Sequence, residues 1–310
     1  MKIYQIDSSA RKEGSTSRAL AKKLLDKIKS PEDEIIYRDL NEEMVFVSGL
    51  TESGMNIEPI IGSLDNLDLL EKFASSSDAI INAADAEHKK SVYYMLSAIE
   101  GSQKVFIHTS GSSIVSDVAK GAGSERVFDE STQINPLPGR TNRVSINKMV
   151  IESASRGIHS IVIAPTLIYG NGMGVNKHSI QIPWLIKLAK KKKCAHHIGP
   201  GENIWSNVHL EDVIDLYLLA LSHAPSGSFY FAENGECSMR QVCVLINKAL
   251  NYNVAPLSMS IEEASTEWGE VSANYTMGSN SRVSSNLARE QLGWAPFRPS
   301  LEKFLKSGLI

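Results

Sequence analysis

The sequence predicts an α/β protein: a Rossmann-like, doubly wound parallel sheet followed by a smaller, mostly helical C-terminal substrate lobe. Three observations carry this reading. Short, near-continuously apolar runs such as Ala79–Asn82 and Ser160–Ala164 alternate with amphipathic helical periods, as strands covered on both faces of a parallel sheet do. Several runs open into loops rich in Ser, Thr and Gly, and such a sheet binds ligands at the carboxyl ends of its strands. From about Tyr169 the rhythm changes to helices punctuated by Gly and Pro.

Lys2–Ile6 reads as the first strand. Ser17–Lys29 reads as a helix with Leu20, Leu24, Leu25 and Ile28 on one face, closed by Pro31. Strands at Glu34–Tyr37 and Glu58–Gly62 follow, then a helix over Asp65–Ala74 carrying Leu67, Leu70 and Phe73. Ala79–Asn82 is a strand, Glu87–Glu100 a helix, Lys104–His108 a strand, Arg143–Arg156 a helix and Ser160–Ala164 a strand. The boundary falls at 168/169. Residues 1–168 form the nucleotide-binding domain, and residues 169–310 form the lobe, interleaved with it. The lobe carries helices at Ile180–Lys192, Glu211–His223, Met239–Leu250 and Ser300–Leu305.

Composition excludes several classes. The chain has 310 residues, 42% hydrophobic and 22% charged, which is neither collagenous, coiled-coil nor largely disordered. Lys and Arg number 32 against 35 Asp and Glu, and the pI is about 6.3, so no basic field addresses nucleic acid. The run Lys190–Lys193 reads as a solvated helix end. No apolar stretch reaches the roughly 18 residues of a membrane span, and Asp7 interrupts the N-terminus before a signal-peptide core forms. Cys194, Cys237 and Cys243 form no C-x-x-C pair, so neither a disulfide framework nor a metal is expected. The expected location is the cytoplasm, with a small-molecule substrate and neither nucleic acid nor membrane as partner.

The first strand exits into Asp7–Arg18, where hydroxyls precede a helix N-terminus, a seat for phosphate. The alternative is that Ser15 or Ser17 only caps the helix. The loop holds no G-x-G-x-x-G. At the end of the second strand Arg38 would receive the 2′-phosphate of NADP and Asp39 a ribose hydroxyl, or the two are a solvated ion pair.

Ala79-Ile80-Ile81-Asn82-Ala83-Ala84, Thr109-Ser110, Ala164-Pro165-x-x-Ile168-Tyr169-Gly170, Asn207-Val208-His209-x-x-Asp212-Val213 and Leu292-Gly293-Trp294-x-Pro296 occur in order. Over about residues 57–310 the chain resembles the extended short-chain dehydrogenase/reductases, the NAD-dependent epimerase/dehydratase family. It is most similar to an atypical branch of nucleoside-diphosphate-sugar epimerase-like proteins. The resemblance implies that Ser63 and Leu64 touch adenine, Ala83 and Ala84 line the diphosphate and ribose, and Pro165 and Thr166 pass the nicotinamide. It implies that Ser110 bonds the reacting oxygen and that Lys148, matching the Lys of Y-x-x-x-K, holds the nicotinamide ribose. Ser112, Asn171, Asn207 and His209 fall on the substrate side. The Tyr of that motif is Val144, which carries no exchangeable proton; Tyr169 is the candidate substitute acid, against a packing role at a strand exit.

Residues 1–45 resemble instead the FMN-phosphate loop of azoreductases and quinone reductases, which implies that Ser9, Ser15, Thr16 and Ser17 bond a phosphate. The loops that hold the flavin ring in those enzymes have no counterpart here. The function expected is therefore an NAD(P)-binding oxidoreductase or epimerase-like protein acting on a carbonyl or sugar-nucleotide-like small molecule, with NADP the favoured form. The alternatives are a dinucleotide-binding sensor without turnover and an FMN-dependent quinone or azo reductase. A homodimer would pair through the Glu87–Glu100 and Arg143–Arg156 helices.

Overall fold

The computed structural model describes residues 2–7, 34–39, 57–60, 62–172 and 179–307, the strands within 2–59 by their backbone alone. The strands, in chain order, are β1 Lys2–Asp7, β2 Glu34–Asp39, β3 Ile57–Pro59, β4 Ala79–Asn82, β5 Val105–Thr109, β6 His159–Pro165, β7 Leu167–Tyr169, β8 His196–Ile198, β9 Ile204–His209, β10 Ser228–Ala232, β11 Glu236–Ser238 and β12 Leu257–Met259. The principal helices are α1 Leu67–Ser76, α2 Lys89–Ala98, α3 Thr141–Glu152, α4 Gln181–Lys192, α5 Leu210–His223, α6 Met239–Ala249, α7 Ile261–Trp268, α8 Asn286–Leu292 and α9 Leu301–Lys306. The predicted helix Ser17–Lys29 lies outside the described residues.

Seven strands form one sheet in the order β10-β6-β5-β4-β1-β2-β3, and every neighbouring pair is parallel. Strand order reverses between β1 and β4, so the crevice outside their carboxyl ends is the place such a sheet offers a ligand. Alternation along the strands sorts the two layers. Ile80, Phe106 and Val162 point to the side of α1, α2 and α3, where they pack with Leu70, Val92 and Ile146. Ala79, Ile81, Ile107, Ile161 and Ile163 point to the other side and pack under α5 against Leu210, Val213 and Tyr217. The helices begin where their sequences cap them: Asn66 accepts from the Leu69 amide at 3.3 Å, and Ser238 with Gln241 forms a capping box on α6.

The C-terminal part is mostly helical, as its sequence suggests, and it carries short strands as well. β10 joins the main sheet beside β6, β11-β9-β7 forms a three-stranded sheet, and β12 pairs with β8. Ser228–Ala232 carries Phe229, Tyr230 and Phe231, strand-forming residues; it pairs with β6, and Tyr230 and Phe231 are buried. The other partners are far apart in sequence, so each segment becomes a strand only in its tertiary setting. β9 continues into α5, and Trp294 closes the joint: its indole Nε1 donates to the Asp212 carbonyl at 2.8 Å. The Asp212 carboxylate accepts from the Phe297 and Arg298 amides. Two of the sequence's motifs thus hold this lobe to the sheet.

Candidate active site

The exits of β4, β5 and β6 meet the first turns of α3. On β5, His108 is fully buried and its Nδ1 lies 3.1 Å from Asn82 Nδ2. Asn82 Oδ1 accepts from the Ala84 amide, so Asn82 presents its NH2 to His108. Nδ1 therefore accepts and the proton sits on Nε2. That Nε2–H makes no hydrogen bond among the described residues. Burial, reinforced by the Arg143 charge, pushes the His108 pKa down to about 3, and the ring is neutral at physiological pH.

Two residues on, the Ser110 amide donates to the Ile163 carbonyl at 2.8 Å, while Ser110 Oγ is buried and unpartnered. Beside the next residue, Gly111, stands Arg143. Its Nε donates to Glu87 Oε1 at 2.9 Å, Nη2 lies 2.9 Å from the same oxygen, and Nη1 donates to Ser113 Oγ at 2.9 Å. A Cβ on Gly111 would come within 3.3 Å of Nη1, so glycine lets the guanidinium lie against the β5 exit. A guanidinium has five N–H donors; two, one on each terminal nitrogen, have no partner among the described residues. One helical turn further, Asn147 is buried and both its amide atoms are unpartnered.

This geometry places the sequence-derived candidates as follows. Lys148 stands on the outer face of α3, its side chain 73% exposed and its Nζ 3.6 Å from Glu152 Oε1; it does not reach the strand ends. Val144 packs with Ile114, Val115, Ala164 and Phe231. The residues that face the crevice at the four-residue spacing of Y-x-x-x-K are Arg143 and Asn147, which sequence reading passes over. Ile146 and Val150 mark the buried face of α3, and that spacing was the available signal. Val144→Tyr accordingly overpacks a filled cluster: it is expected to lower unfolding free energy by about 1–3 kcal/mol in a denaturant titration, with no gain in turnover.

Tyr169 belongs to the lobe core. It is 1% exposed, its hydroxyl donates to the Pro299 carbonyl at 2.9 Å, and burial pushes its pKa up. A buried phenol so held is a packing element, not an acid. Ser112 Oγ pairs with Ser281 Oγ at 2.8 Å, and Thr166 Oγ1 donates to the Ala232 carbonyl at 2.8 Å; both fasten strand ends. His209 caps α5, its Nδ1 accepting from the Glu211 amide, and its ring lies so close that a Cβ on Gly170 would come within 2.9 Å of Nε2. Asn207 is buried beside the Asn234–Gly235 turn. Asn171 keeps a buried, unpartnered Oδ1.

Ala83 is buried and Ala84 half-buried at the β4 exit, and Pro165 ends β6. Ser63 caps a turn through the Asp65 amide, and Leu64 enters the core. Arg38 is the fifth residue of β2, opposite Ile6. Ser9, Ser15, Thr16 and Ser17 lie outside the described residues. Beside Ser112–Val115 opens a cleft of about 370 Å³ between the 115–137 connection and residues 280–282, walled by Val115, Phe128, Ile134 and Leu137 with Arg126 and Arg282 at its polar side. Arg282 is paired with Glu236 at 2.7 Å, and Arg126 lies 4.3 Å over the Phe128 ring. In the lobe, Ile182, Leu185 and Trp205 are buried in a core cluster.

These observations fit a nicotinamide dinucleotide: a strand-order switch point, small residues at the β4 exit, and orphaned polar atoms at the β5 exit. Comparison with known proteins points the same way. A model of the NAD dependent epimerase/dehydratase family matches residues 36–230. An uncharacterized protein of Schizosaccharomyces pombe is 31% identical over 294 residues, covering 88% of this chain and 94% of that one. The FMN-dependent NADH:quinone oxidoreductase of Pelagibacter ubique is 57% identical over 98 residues, 32% of this chain and 47% of that protein. The chain thus spans about half the length of that relative. Among solved structures, dTDP-glucose 4,6-dehydratase from Bacillus anthracis in complex with NAD superposes with a TM-score of 0.76 at 16% identity, covering 99% of this chain and 95% of that one. At that identity the likeness is one of fold.

Proposed function

The chain belongs to the NAD dependent epimerase/dehydratase family, and on that premise we propose that it is an NAD(P)-dependent reductase of small carbonyl compounds that works without the family's tyrosine. It is an NAD(P)-binding protein of the oxidoreductase and epimerase type; the carbonyl substrate and the direction of transfer are our reading. The observation that carries it is a buried unpartnered hydroxyl, Ser110, next in the chain to Gly111, against which lies the Arg143 guanidinium with two unused donors.

When bound, the reduced nicotinamide supplies a hydride. Ser110 Oγ–H and the free Arg143 N–H groups then donate to the carbonyl oxygen, where negative charge develops. Glu87 and Ser113 fix the guanidinium, so little reorganisation accompanies the reaction. Ala83, Ala84, Pro165 and Thr166 line the cofactor's path, with Ser63 and Leu64 towards adenine. Ser9, Ser15, Thr16 and Ser17 supply the phosphate seat. The substrate body occupies the cleft beside Val115 and Phe128, with Asn171 on the lobe side. Arg38 at the end of β2 supports NADP over NAD, because its charge complements a 2′-phosphate. A homodimer would form across α2 and α3, where Tyr93 is 53% exposed.

The test is NADPH and NADH oxidation, followed at the nicotinamide band, against a panel of ketones, aldehydes and quinones. Turnover with NADPH is expected, and Arg38→Ala should narrow the preference between the two cofactors. Lys148→Ala should stay within about twofold of the parent, since an exposed i,i+4 pair contributes only ~0.3–0.5 kcal/mol. Cofactor binding without turnover on any carbonyl would favour a sensor.

A further inference from the structure

Three side chains leave four buried polar atoms without partners among the described residues: His108 Nε2, Ser110 Oγ, and Asn147 Oδ1 and Nδ2. They lie on one side of the sheet, where α3 packs. His108 and Ser110 are two residues apart at the β5 exit and so share one side of the strand. That side is the α3 side, because His108 bonds Asn82, whose neighbour Ile80 packs there with Ile146 and Val150. Asn147 sits on α3 one turn beyond Arg143, whose Nη1 lies against Gly111 and bonds Ser113. His108 and Asn147 are 0% and 4% exposed. Buried polar groups are almost always satisfied, by protein or by ordered water, and a buried water takes about three hydrogen bonds. The set here offers a fixed N–H donor, an amide with both donor and acceptor, and a hydroxyl.

We propose that His108, Asn147 and Ser110 enclose an ordered water that serves as the proton source for carbonyl reduction, in place of the phenol that Val144 lacks. The inference rests on the reductase reading. Ser110 Oγ gives its proton to the substrate oxygen as the C=O bond becomes C–O–H, and takes a proton from the water in the same motion. The hydroxide left behind is held by His108 Nε2–H, by the Asn147 amide N–H and by the nearby Arg143 charge, and regains a proton from solvent after product leaves. An alkoxide and hydroxide are closely matched as bases, so the relay requires no acidic side chain. His108 and Asn147 are positioning residues; of the three, Ser110 alone touches the substrate.

The wild-type protein with NADP+ bound, its histidine ring nitrogens labelled, gives the first readout. A protected His108 Nε2–H that cross-relaxes with water is expected, and its absence overturns the water site whether or not turnover is found. Asn147→Leu gives the second. It keeps the volume and removes two orphaned atoms, so the melting temperature should hold or rise while kcat falls roughly 10²-fold with the NADPH KM unchanged and the solvent isotope effect altered. Asn147→Gln should recover part of kcat. Unchanged kcat, or a fall in kcat that merely follows a fall in melting temperature, overturns the relay. Absence of NADPH oxidation on every carbonyl overturns the reductase reading beneath it, and the relay's catalytic role with it.

Discussion

Arg143→Met is expected to lower kcat/KM for carbonyl reduction by about 10²–10³, equivalent to ~2.7–4 kcal/mol of transition-state stabilisation, with the NADPH KM little changed. The guanidinium is a fixed positive charge beside Gly111 at the β5 exit, and it is held from two sides by Glu87 and Ser113. Removing it strips the developing alkoxide of a charged donor that requires no reorganisation. Stability should change little, because the abandoned Glu87 side chain is 34% exposed and water can solvate its carboxylate. Arg143→Lys is expected to recover only part of the loss, since an ammonium cannot bond Glu87 and Ser113 in the same fork and still offer a parallel pair of donors. Steady-state kinetics of the two variants, with denaturant titrations alongside, check this. A loss of activity matched by a loss of stability would assign Arg143 to structure instead.

The second large effect is on acid stability. His108 is neutral in the fold, with its pKa lowered from 6.5 to about 3 by burial and by Arg143. In the unfolded chain the same ring takes up a proton near its ordinary value. Between those two pH values the unfolded state binds more protons, so stability is full above about pH 6.5 and declines as pH falls, by up to about 1.4 kcal/mol per pH unit from this residue alone. His108→Phe removes the titration: its unfolding free energy should fall less steeply from pH 6.5 to 4 than that of the parent. Parallel profiles for the two proteins would show that His108 is solvated enough to ionise in place.

Much of the sheet was legible because the hydrophobic pattern itself encodes it. Ala79–Asn82 and Ser160–Pro165 are buried from end to end, and a strand with two covered faces has no alternation to confuse with a helix. Phe229, Tyr230 and Phe231 carried a strand signal too, but their place at the edge of the main sheet depends on β6, some sixty residues earlier in the chain. The site was less legible for a geometrical reason. Successive residues on a helix point about 100° apart, so an alignment anchored on Lys148 instead of Asn147 turns the reactive face outward. Ile146 and Val150 held the information that settles the facing of α3, and neither is polar. The motif residues Asp212 and Trp294 were visible as a pattern and prove to be a structural clasp. The orphaned atoms of His108, Ser110 and Asn147 leave no trace in sequence, because partnership is a property of three-dimensional packing.

A nicotinamide dinucleotide is expected to bind at the strand ends of this sheet. Thermal unfolding of the purified protein with NADP, NAD and FMN, each supplied separately at one common concentration of about 100 times the NADP dissociation constant, tests this most directly. NADP should raise the melting temperature through ~2.7 kcal/mol of added stability, NAD less at equal concentration, and Arg38→Ala should level the two. A shift with FMN alone would contradict the account and assign the nucleotide site to a flavin.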